Sequence, residues 1–191
     1  MFQTYLELGF DHISDLKGYD HILFIVALCA AFTLGEWKQI LILVTAFTIG
    51  HSVTLALASL DIIRLPAQLI EVLIPITILV TAVLNVYKKP AATHSWKTSY
   101  FLPLFFGLIH GMGFSNFFKS LLGREADILV PLLAFNIGVE IGQIGIVAAF
   151  LLLSFIVLRF LKISQRPWVI TISSVAIVLS IYMIYDRIAA G

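Results

Sequence analysis

Residues 128–158 read ILVPLLAFNIGVEIGQIGIVAAFLLLSFIVL, a run in which Glu140 is the only charged side chain. As an α-helix, a run this long crosses the ~30 Å hydrocarbon core of a bilayer, whereas a membrane-barrel strand alternates over only about 10 residues. The remainder of the chain has the same character. Of its 191 residues, 60% are hydrophobic and 12% charged, with a mean hydropathy of +1.03, against about 25% charged in soluble domains. The chain therefore reads as one all-α integral membrane domain, residues 1–191, with the lipid bilayer as its first partner. A net charge of +1 gives no reason to expect nucleic acid. Cys29 is the single cysteine and has no partner for an internal disulfide.

The apolar runs predict a bundle of six transmembrane helices at about 20–35, 38–59, 66–87, 99–120, 128–158 and 168–187. Arg64-Leu65-Pro66, Lys88-Lys89-Pro90 and Arg166-Pro167 are charged breaks in which proline suits a helix start. The N-terminus, MFQTYLELGFDHISD, has no basic region followed by a small-residue cleavage site, so it reads as retained. Phe2, Tyr5, Leu6, Leu8, Phe10, Ile13 and Leu16 alternate with polar positions, the pattern of a short amphipathic segment lying on the membrane.

Six crossings put both termini on one face. That face carries Lys17, Arg64, Lys119, Arg124 and Arg187; the other carries Lys38, Lys88, Lys89, Lys97, Arg159, Lys162 and Arg166. The excess of basic residues assigns the second face to the cytoplasm and both termini to the outside. Asp11, Asp15, Asp20, Asp61, Glu125, Asp127 and Asp186 fall on the terminus side, an acidic vestibule that concentrates cations.

Ionisable residues inside a span are costly and face the bundle interior, so each is a functional candidate. Asp20 and His21 open the first span, His51 lies in the second, Glu71 opens the third, His110 lies in the fourth and Glu140 in the fifth. His51 and His110 sit roughly 14 to 15 Å from the outer face at 1.5 Å per residue, and Glu140 at a comparable depth. Three groups at one depth argue for a shared site, with Asp20, His21 and Glu71 above it. Asn136, Glu140 and Gln143 share a helical stripe, and Thr48 and Ser52 flank His51 as candidate hydroxyl partners for its ring. Gly107 and Gly111, like Gly138 and Gly142, form GxxxG pairs suited to close helix approach.

Each candidate also has a plainer explanation. A lone intramembrane histidine can simply bond a neighbouring carbonyl, Asp20 can cap a helix, and Glu71 can favour a helix N-terminus. His94, in the loop ATHSWK, reads as solvated, while His12, nine residues before His21, can fold back over the outer mouth. Imidazole, carboxylate and amide donors without thiolates suit Ni²⁺, Co²⁺, Zn²⁺ or Fe²⁺ rather than Cu⁺. Neither HExxH nor paired ExxH spacing is present.

GYDHILFIVAL, AFTIGHSVTL, the Glu71 segment, FGLIHGMGF and FNIGVEIGQ, taken in order, resemble the HupE/UreJ family of membrane proteins. Its better-known members are regarded as nickel or cobalt permeases, associated with hydrogenase and urease maturation. The resemblance implies a divalent metal ion bound by His21, His51 and His110, with Asp20 and Glu140 assisting; His12, Glu71, Asn136 and Gln143 are supporting candidates by position. It also implies residence in a bacterial inner membrane. Typical members carry a proline-containing motif with two closely spaced histidines near the first span, where this chain has Asp20-His21 with His12 upstream. The leading expectation is a divalent-metal permease. The alternative is an intramembrane metalloenzyme in which the held metal activates water or oxygen against a lipid-like substrate, with Glu140 or Glu71 as base.

Overall fold

The apolar runs fold as expected into long helices, and the N-terminal third departs from the expectation. The computed structural model describes residues 1–87, 100–122 and 128–190. Among them, all regular structure is helical: α1 (Phe2–Ser14), α2 (Asp20–Cys29), a 3₁₀ turn (Leu34–Glu36), α3 (Trp37–Ser59), α4 (Ala67–Tyr87), α5 (Phe101–Leu122), α6 (Leu129–Phe160) and α7 (Gln165–Ala190). Helices α3 to α7 are the five long and apolar enough to cross a membrane. They match the second to sixth sequence spans to within a few residues. Lys88, Lys89, Pro90, His94, Lys97, Arg124, Glu125 and Asp127 lie outside the described residues.

The first expected span, 20–35, is instead a ten-residue helix ending at Cys29. The reason lies in Thr33-Leu34-Gly35-Glu36. The Glu36 carboxylate accepts hydrogen bonds from the Thr33 backbone N–H at 2.8 Å and from the Thr33 hydroxyl at 2.9 Å, a capping box that starts the next helix and so ends the previous one.

The N-terminal segment is a helix, and part of its apolar surface is covered by protein while Phe2, Phe10 and Leu16 stay exposed. Tyr5, Gly9 and Ile13, at i, i+4 and i+8, are buried, and they face α6. A Cβ at Gly9 would lie 2.0 Å from the Phe135 carbonyl oxygen, and one at Gly138 2.0 Å from that of Leu6, so the two backbones touch where both helices lack side chains. The Tyr5 hydroxyl donates to Leu121 O at one end of the bundle, and α1 runs from there to His12, whose ring lies 3.9 Å from that of Phe114. Helix α2 continues towards the opposite end, where Asn85 Nδ2 donates to Ala27 O at 2.6 Å and Gln165 Nε2 to Ala31 O at 3.4 Å. Residues 2–31 thus travel along the bundle as two short helices with a break at 15–19.

Two further features position the site. Helices α3 and α5 meet through glycines. A Cβ at Gly50 would lie 2.1 Å from Leu104 O, one at Gly107 2.1 Å from Phe47 O, and one at Gly111 2.2 Å from His51 O. The glycines around His110 therefore let its helix lie against the backbone that carries His51. In α4, Pro75 lacks the N–H that would bond Glu71 O, and the Arg187 guanidinium takes that carbonyl at 2.7 Å.

Candidate metal centre

Three histidines meet in the bundle. His12 comes from the last turn of α1, His21 from the first turn of α2 and His51 from α3. One ring nitrogen from each lies within 4.8 Å of the other two. The His12 and His21 ring centroids are 4.6 Å apart, His12 and His51 5.8 Å, and His21 and His51 6.1 Å. Phe135 stacks on the His51 ring at 6.1 Å and Phe114 lies against His12, so apolar walls hold the imidazoles.

The polar atoms of this cluster are largely unpaired. His12 Nε2, His21 Nε2 and both nitrogens of His51 are buried without a hydrogen-bond partner. An unpaired buried polar group costs about 1–3 kcal/mol, and a self-sufficient core does not collect several in one place. Neutral imidazoles with exposed lone pairs are the ordinary ligands of borderline divalent metals, so the donor set fits such an ion.

A carboxylate orients one of the three. Asp20 Oδ1 lies 2.9 Å from His21 Nδ1 and accepts the His21 backbone N–H at 2.8 Å, while Asp20 Oδ2 accepts from Arg187 Nη2 at 3.0 Å. Asp20 is therefore not the helix cap; Tyr19 occupies that position. A proton on Nδ1 directed at Asp20 leaves the Nε2 lone pair for a metal, the usual carboxylate–histidine arrangement of metal sites. Arg187, bonded at once to Asp20 and to Glu71 O, fixes the carboxylate in turn.

His110 stands beside this set, its ring 5.0 Å from that of His21. Its Nε2 lies 3.0 Å from the Thr77 hydroxyl, which itself donates to Ile74 O at 2.7 Å. Because a hydroxyl has one proton, Nε2 carries the hydrogen and Nδ1, buried and unpartnered, presents the lone pair. A cavity of about 300 Å³ opens onto His12, His21 and His110 and is rimmed by Asp15, Asp20, Glu71 and Arg187. His51, 0% exposed, lies behind it.

The expected depths change accordingly. His21 is level with His51 and His110, not above them, because α2 begins inside the bundle. Glu71 lines the cavity mouth and is exposed. Glu140 Oε1 accepts from the Thr45 hydroxyl at 2.5 Å, and Gln143 Oε1 from the Thr48 hydroxyl at 2.8 Å. Thr48 and Ser52 do not support the His51 ring as expected: Thr48 bonds Val44 O and Gln143, and Ser52 donates to Thr48 O. Asn136 Oδ1 is buried and unpartnered one turn before Glu140. Arg187, Thr45 and Thr77 escaped the sequence reading. Nothing local marks Arg187 or Thr77, but Thr45 and Thr48 were legible as a hydroxyl stripe facing one way on α3.

Outside the membrane-length helices, Asp61 bonds Lys119 and, at 3.1 Å, Arg64. The Lys119 hydrogen bond, with help from Arg64, holds its carboxyl below the usual range.

Comparison with known proteins agrees with the motif reading. No curated protein and no solved structure matches the chain significantly. A family model described as HupE / UreJ protein matches residues 1–186, nearly the whole length. With five membrane-length helices and a buried histidine cluster already in place, that match establishes the chain as an integral membrane protein belonging to the HupE/UreJ family.

Proposed function

We propose that the protein is a permease for divalent transition-metal ions of the nickel or cobalt type, and that His12, His21 and His51 are its central binding site. The observation that carries this reading is the convergence of three imidazoles with unpaired, buried nitrogens from three separate helices. The cavity rimmed by Asp15 and Glu71 supplies the approach, where acidic groups raise the local cation concentration. His110, on the wall of that cavity with its Nδ1 unpartnered, is a further donor beside the three. Asp20 contributes orientation at His21, and its charge is offset by Arg187.

In this reading α1 and α2 together form the first of six crossings, α1 running from the outer face to the middle and α2 from the middle to the cytoplasmic face. Both termini are outside, in a bacterial inner membrane, consistent with the excess of basic side chains at the opposite face. Sites built where a crossing helix is interrupted are a recurrent solution among transporters, because the break frees polar groups at mid-membrane.

Purified protein in proteoliposomes with an entrapped metal-sensitive dye tests the proposal. Saturable uptake of Ni²⁺ or Co²⁺ is expected for the native chain and is expected to be lost in His21→Ala and His51→Ala. A native protein that carries no ion, and retains a metal through prolonged chelation, refutes the permease in favour of a metalloenzyme.

A further inference from the structure

A second polar cluster lies between α3 and α6, apart from the histidines. Thr45 bonds Glu140 and Thr48 bonds Gln143, and each pair leaves a buried atom without a partner: Glu140 Oε2 and Gln143 Nε2. Gln143 is 0% exposed. Its amide can turn over in place: Thr48 already donates to Val44 O at 3.2 Å, so a turned amide donates N–H to Thr48 and leaves its oxygen free. Asn136 Oδ1 adds an unpartnered oxygen on the same stripe of α6. Glu140 forms no ion pair with a basic side chain among the described residues.

Position matters as much as composition. Thr48 and Thr45 precede His51 by three and six residues, and α3 ends at Ser59 on the cavity side. The two bonded pairs therefore lie roughly 4 to 9 Å beyond His51, away from the cavity, at 1.5 Å per residue. Three neutral imidazoles give a dication ligands but no negative charge, and at this depth an unbalanced charge is expensive. The free carboxylate oxygen of Glu140 supplies that charge one step further along. Oxygen donors also hold Ni²⁺ and Co²⁺ less firmly than imidazole does, so an ion reaching them is closer to release.

We infer that Thr45, Thr48, Glu140 and Gln143 form a second, oxygen-donor site for the transported divalent cation, occupied after it leaves the histidines. This rests on the permease reading. It distinguishes Glu140 as a station in transit from Glu140 as a ligand of the histidine site.

The test compares native protein, Glu140→Gln and Thr45→Val, the second variant being a milder packing change should the first fail to fold. Co²⁺ affinity at the histidines is read from its visible absorption in detergent, flux from proteoliposomes, and folding from thermal denaturation. Both variants are expected to bind Co²⁺ as the native protein does while flux falls by about tenfold or more, the lower end of what loss of a supporting metal-site group costs. Native flux in either folded variant overturns the second site. Loss of Co²⁺ binding in Glu140→Gln, matching that in His51→Ala, also overturns it and makes Glu140 part of one site. Absence of flux in the native protein removes the permease reading itself, and this site with it.

Discussion

Gly138→Ala, a single methyl on α6, should weaken metal binding although Gly138 touches none of the histidines. The added Cβ would lie 2.0 Å from Leu6 O and 2.9 Å from both Leu6 C and Phe10 N, all backbone atoms that cannot rotate away. Ordinary contacts of carbon lie at about 3.5 Å, so α1 must retreat by roughly 1 to 1.5 Å. Overpacking of this kind typically costs about 1–3 kcal/mol. His12 rides on α1 two residues beyond Phe10, and its nitrogen lies within 4.8 Å of its partners. Two ligands on one ion at roughly 2.1 Å each are at most about 4.2 Å apart, so a retreating α1 that draws the His12 nitrogen away from its partners opposes binding. We expect a loss in Co²⁺ or Ni²⁺ affinity of about 10- to 100-fold, the range seen when a supporting group of a metal site is removed. Gly145→Ala, where an added Cβ meets nothing within 4 Å, should leave affinity unchanged. The decisive measurement is a cycle with His12→Ala. If α1 acts through His12, Gly138→Ala adds little in a chain already lacking that ring. Full additivity, or native affinity in a folded Gly138→Ala protein, would falsify the assignment of His12 to the site.

Two further outcomes follow from the groups around it. Arg187→Gln leaves Asp20 without its guanidinium and should lower metal affinity by about 10- to 100-fold, and Arg187→Lys should restore little of it, since one ammonium cannot reproduce the fork spanning Asp20 and Glu71 O; equilibrium dialysis of the three proteins decides this. Asp61, with its carboxyl held low by Lys119 and Arg64, contributes stability that is present above the unfolded carboxyl pKa of about 3.9 and lost as pH falls through the lower folded value. Asp61→Asn keeps a residue tolerant of the positive φ of 60° found there, so its melting temperature should lie slightly below the native value at neutral pH and converge with it in acid; a gap that persists in acid contradicts the linkage.

How much of this was legible depended on whether the controlling interaction was local. Helices α3 to α7 were readable because each is an apolar run long enough to leave no other structure open to it. The first span was misjudged because ILFIVALCAAFTL is apolar throughout, and hydropathy alone does not register the capping box at Thr33 that ends it. The depth of Asp20 and His21 was misplaced for a related reason, since a span read as starting at the membrane face begins inside the bundle. The stripe on α1 was visible as amphipathic, yet its destination was not: lipid and the glycine face of α6 are equally apolar partners for Tyr5 and Ile13. Only Gly9 hinted otherwise, as a position that gains from a close backbone.

The histidine cluster shows the same division, and it explains why the helix must break. His21, His51 and His110 stood out as histidines in apolar surroundings, whereas His12 read only as a residue able to fold back over the outer mouth. On one continuous helix His12 and His21 would be separated by nine residues, about 13.5 Å along the axis and half a turn around it. Their rings instead lie 4.6 Å apart, which the break at 15–19 alone permits. The same break turns Asp15 and Gly18 into lining of the cavity and brings the Asp20–His21 pair to mid-bundle instead of the membrane face. The polar spacing DHISDLKGYDH, which as a helix scatters its ionisable groups on all sides, is coherent only as two helix ends folded towards each other. The break at 15–19 and the three-histidine cluster are therefore one structural decision, and closing the break with a helix-favouring sequence would separate the rings without changing any of them.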